Sequence, residues 1–93
     1  MATDRNNFDK LTSLLLLRSN LAVAYFLKSD IENAYKLLNE CLENLERSSF
    51  KVELQKDNVK SLYIKVLCNL IVIFMVDNNI EGCNLIEDKL INF

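Results

Sequence analysis

The stretch Asn20-Leu21-Ala22-Val23-Ala24-Tyr25-Phe26-Leu27-Lys28-Ser29-Asp30-Ile31-Glu32-Asn33-Ala34 decides the fold, because its pattern returns later in the chain. A nearly continuous apolar run ends at Leu27, and a different pattern begins at Ile31. Between them, Ser29 can accept a hydrogen bond from the backbone N–H three residues on, while Glu32 can reach back to the N–H of Ser29. That is the spacing of a capping box, and it predicts a helix start at Ser29. A connection of two or three residues forces the helices on either side into an antiparallel hairpin.

Working outward, the first helix is expected from about Phe8 to Lys28. From Leu14 to Leu27 it is interrupted only by Arg18, Ser19 and Asn20, so it should be covered from more than one side. The second, about Asp30 to Arg47, repeats Ile31, Ala34, Tyr35, Leu38, Cys41, Leu42 and Leu45 at helical spacing among polar residues. It reads as one-sided and amphipathic. The same events then recur. Asp57 or Asn58 can cap a third helix that runs to about Asp77. Asn78-Asn79-Ile80-Glu81 repeats the capping spacing, and a fourth helix turns Ile80, Cys83, Ile86, Leu90 and Ile91 inward. Asn20, Tyr25, Asp30 and Ala34 pair with Asn69, Phe74, Asn79 and Cys83 at a constant interval of 49. A shared interval across every pair marks an internal duplication. The expected fold is all-α, with four main helices in two stacked antiparallel hairpins. They form one domain over 1–93: repeat 1 at about 8–47, a linker at about 48–57 and repeat 2 at about 58–93. The alternating Ser48 to Gln55 segment has no strand to pair with; it reads as an extended linker or a short extra helical turn.

Composition agrees. The 93 residues include no proline and one glycine, Gly82, too few for a fold built on tight turns. Eleven basic residues are spread along the chain and outnumbered by thirteen acidic ones, so nucleic acid is not expected as a partner. No histidine is present, which removes the commonest general base and the commonest transition-metal ligand. One glycine leaves no Gly-rich phosphate loop. No enzyme activity, cofactor or metal is expected. Cys41, Cys68 and Cys83 form an odd set with no Cys-x-x-Cys, and each falls on an apolar helix face. With a polar N-terminus that carries no secretory pattern, they imply a cytoplasmic, reducing setting. The run Leu70 to Val76 is short for a membrane span of ~20 residues, so a membrane role is not expected.

These residues resemble the tetratricopeptide repeat. Its pattern places Asn-Leu and a small residue in the first helix, then an aromatic, Gly-Asp at the turn, and a small residue in the second helix. Asn20-Leu21-Ala22, Tyr25, Ser29-Asp30 and Ala34 fit in order; Asn69-Leu70, Phe74, Asn79 and Cys83 fit less fully. Departures are Ser29 and Asn78 in place of the turn glycine, Ile71 in place of the small residue, no closing proline, and a period above the family's ~34 residues. Ala22 and Ala34 would let two backbones approach.

The resemblance implies a protein–protein interaction scaffold or adaptor whose first helices form a groove for a partner helix or peptide. The corresponding positions are Asn20, Val23, Phe26 and Leu27, with Leu16 and Ser19 beside them, then Lys65, Asn69, Val72, Met75 and Val76, with Cys68 beside them. It also implies that Asn20 and Asn69 hydrogen-bond a bound peptide's backbone; bonding a neighbouring helix is the alternative. A groove of Met and aliphatic residues suits an amphipathic helix. The competing reading is a structural bundle whose apolar surface is only an oligomer or subunit interface. Two hairpins bury little, so the isolated chain is expected to self-associate or to belong to a larger helical assembly. Phe93 must either fold back on the third helix or meet a partner.

Overall fold

The computed structural model describes residues 2–47, 53 and 56–93, with side chains from Phe8 onward. Four helices follow one another: α1 (Ala2–Leu27), α2 (Ile31–Leu45), α3 (Asp57–Val76) and α4 (Ile80–Ile91). No strand occurs among the described residues, and most of the alternating 48–55 segment lies outside them. Helix α1 starts well before Phe8, because residues 2–7 contain no proline or glycine to stop it.

Both hairpin turns have the same geometry. Ser29 takes φ 66° and Asn78 takes φ 56°, the left-handed conformation that ends a helix in a Schellman motif. The N–H of Ser29 donates to the Phe26 carbonyl at 2.9 Å, and that of Asp30 to the Tyr25 carbonyl at 2.9 Å. In the second turn Asn78 donates to Met75 at 3.2 Å and Asn79 to Phe74 at 2.8 Å. The capping residues are therefore Asp30 and Asn79, one position later than the sequence pattern implied. Asp30 accepts from the N–H of Asn33 at 3.3 Å and from its side-chain amide at 2.7 Å, and Asn79 accepts from the N–H of Gly82 at 2.9 Å. Ser29 and Asn78 cannot cap because each is still closing the preceding helix. Neither Asp57 nor Asn58 caps α3, whose flanking residue Lys56 makes no side-chain cap bond.

Helices α1 and α2 pack as one hairpin, α3 and α4 as the other, and α3 lies against both members of the first. Ala22 and Ala34 are fully buried, and the thiol of Cys41 donates to the Leu15 carbonyl across the same interface at 3.5 Å. In the second hairpin the Cys83 thiol reaches the Ile71 carbonyl at 3.9 Å. There Gly82 makes room for an aromatic ring, since a Cβ on it would stand 2.8 Å from Phe74 Cγ. Phe74 in turn packs on Tyr35, ring centroids 5.6 Å apart.

At the opposite end Glu46 Oε2 accepts from Tyr63 Oη at 2.9 Å and from Lys89 Nζ at 2.8 Å. Phe93 folds back on α3, its ring 4.8 Å from that of Tyr63. One further expectation fails. Ile80 and Ile91 point outward rather than inward, leaving Ile86 as the buried anchor of α4 with Cys83 and Leu90 half-buried. Helix α1 is covered from two directions, by α2 and by α3, while Leu14, Leu17 and Leu21 face solvent.

A candidate partner groove between α1 and α3

Helices α1 and α3 each start a hairpin and lie side by side, so the positions one residue line presents on both meet along a trough. Near the turn end this trough holds a pocket of about 250 Å³. Val23, Phe26 and Leu27 form one wall, Asn69, Val72 and Ile73 the other, and Ala22 and Leu38 the floor. Five of the expected groove residues thus converge: Val23, Phe26, Leu27, Asn69 and Val72. Ala22, Leu38 and Ile73 line it as well, although their spacing in the sequence reads only as core. Ala22 opens the floor for want of a larger side chain, which its match to the small-residue position signals.

The other four expected residues lie outside this pocket. Asn20 and Lys65 bond each other across the trough, Nζ to Oδ1 at 2.8 Å, so Asn20 takes the neighbouring-helix role. Met75 is exposed and lines a separate hollow with Phe74, Ile80 and Cys83 between α3 and α4. Val76 is exposed and lines none of these hollows. Further along the trough, Thr12, Leu16, Asn58 and Lys65 border a second pocket of about 390 Å³. Of the adjoining positions, Ser19 is fully buried and Cys68 exposed.

Chemically, the pocket beside Asn69 is apolar and uncharged. Its one polar side chain is Asn69, whose Nδ2 is buried without a hydrogen-bond partner. An unmet buried donor costs about 1–3 kcal/mol, and this one is closed off from solvent. The perturbed titrating groups lie away from this pocket. Burial pushes the Cys41 thiol up to about 11, against an opposing pull from Arg18 and a smaller push from Glu40. Burial, then the hydrogen bond to Glu46, pushes Tyr63 up to about 12. Among the described residues, no three Cys, Asp or Glu side chains are grouped as a metal ion would need.

No family model, curated protein or solved structure matches this chain. Two segments, Phe8–Leu27 and Asp57–Val76, are long and apolar enough to cross a membrane by length and composition. The short Leu70–Val76 run understated this, because Lys65 and Asn69 do not break the longer apolar window around them.

Proposed function

We propose that this chain is a non-enzymatic, tetratricopeptide-like interaction module that seats an apolar side chain of a partner helix in the groove between α1 and α3. The observation that carries this reading is the meeting of three helices' apolar side chains around the unpartnered amide of Asn69. A volume of about 250 Å³ is below the ~300–1,000 Å³ of ordinary small-molecule pockets and suits one buried anchor residue. The partner helix would set an apolar residue over Ala22 and Leu38, between Phe26 and Val72. In this reading the module acts in the cytoplasm, with Cys41, Cys68 and Cys83 as thiols.

Selection from a displayed library of amphipathic helical peptides, mapped by amide chemical-shift changes, tests it. Selected peptides should perturb Val23, Phe26, Asn69 and Val72. Val72→Glu, at a half-exposed position, should weaken them at least about tenfold, a difference near 1.4 kcal/mol. Binders that map away from the groove, or that tolerate the glutamate, overturn the reading.

A further inference from the structure

The 49-residue interval allows each position of one hairpin to be compared with its twin in the other, and the burial differences are systematic. In α3 the stripe Val59, Leu62, Val66, Leu70 and Ile73 is buried where the second hairpin meets the first. Its twin in α1 is Lys10, Ser13, Leu17, Leu21 and Ala24, and every one is exposed. No described residue covers this face, yet from Leu17 onward it keeps the apolar character of a junction.

The other end mirrors this. Leu15 and Ser19 of α1 are fully buried and Phe26 half-buried. Their twins in α3 are Ile64, Cys68 and Met75, all exposed. On α4, Ile91 is exposed where its twin Leu42 is buried. The molecule therefore carries both halves of its own internal junction, one at each end, unpaired.

We infer that a second copy of this chain docks head to tail, its α1 face of Leu17 and Leu21 lying on the far face of α3 and α4 around Met75 and Ile91. The contact continues the inter-hairpin interface already present within one molecule, and it uses surfaces distinct from the groove. Charge favours it. Within the molecule Glu32 and Asp77 border the same hollow, two like charges at the edge of the junction. The twin pair across two molecules is Glu81 and Lys28, which attract. Some twins are less favourable: Lys10 and Ser13 stand where Val59 and Leu62 are buried, and Glu87 where Leu38 is buried, which weakens the joint and makes it reversible. Because the two faces differ, the contact is heterologous and leaves an unpaired face at each end, so copies add in a row.

Sedimentation velocity over a concentration series reads this directly. The wild-type chain should pass beyond dimer as concentration rises. Leu17→Glu and Met75→Glu alter side chains 65% and 64% exposed, so each variant should stay helical by circular dichroism and run as a monomer. Mixed in equal amounts, the two should form a dimer and nothing larger, since each keeps the face the other has lost. Glu87→Leu, which restores the internal junction's residue, should bring association on at least about tenfold lower in concentration. Three results overturn the inference: a wild-type chain that stays monomeric, a mixture that makes no dimer, or a variant that dimerises alone. The first two would assign the end faces to another occupant. The third would show a self-complementary contact instead.

Discussion

Replacing Ser29 with glycine should stabilise the chain, and the size of the gain follows from its backbone. Ser29 sits at φ 66°, where an L-residue with a Cβ is worse off by roughly 1–2 kcal/mol. Glycine escapes that strain but gives up unfolded-state restriction of about 0.4–1 kcal/mol. Strain exceeds the entropic loss, and the net gain is about 0.5–1 kcal/mol, or several degrees in Tm for a chain this short. Asn78 occupies the twin position at φ 56°, but asparagine tolerates the left-handed region far better than serine. Asn78→Gly should therefore change little. Thermal and urea unfolding of Ser29→Gly, Ser29→Ala and Asn78→Gly separates backbone from side-chain effects. If Ser29→Ala gains as much as Ser29→Gly, or if Asn78→Gly gains more, left-handed strain at the first turn is not the cause.

Ser19 is fully buried with its hydroxyl unpartnered, so Ser19→Ala should raise stability by about 1 kcal/mol, through relief of the unmet group and better helix propensity; a loss in urea melts would mean the hydroxyl has a structural bond. Alkaline stability should depend on Tyr63. Its folded value near 12 exceeds the free value of 10.0, so the folded state holds the phenolic proton more tightly. That contribution is complete below pH 10 and is lost as pH rises through about 12. Tyr63→Phe should start less stable at pH 8 and lose less between pH 9 and 12 than the wild type in chemical melts. Parallel declines would contradict the assignment.

The hairpins were legible because a duplicated register and two short, proline-free turns leave few ways to fold. The turn residues were displaced by one because Ser29 and Asp30 can both cap, and nothing in the letters says which must take φ > 0. Serine is a poor choice for that conformation, and the Schellman bonds to Tyr25 and Phe26 are backbone events that leave little trace in composition. At the groove, helical register puts Val23, Phe26, Leu27, Asn69 and Val72 along one pocket. It could not show that Lys65 would spend its charge on Asn20, or that Met75 would lean toward α4. Those outcomes depend on which helix stands next to which face. The same cause accounts for Ile80 and Ile91: periodicity marks them as apolar, and only the packing partner decides whether an apolar residue is covered.

Asp30 and Asn79 each join two helices without an intervening spacer. The amide of Asp30 completes α1 at the Tyr25 carbonyl, its own carbonyl accepts from Ala34 at 3.2 Å, and its carboxylate holds Asn33. Asn79 does the same between Phe74, Cys83 at 3.1 Å and Gly82. A fluctuation that frays the end of one helix therefore unfastens the beginning of the next. Each hairpin should open as a single cooperative segment in hydrogen exchange, its amides on both sides of the bend releasing deuterium together.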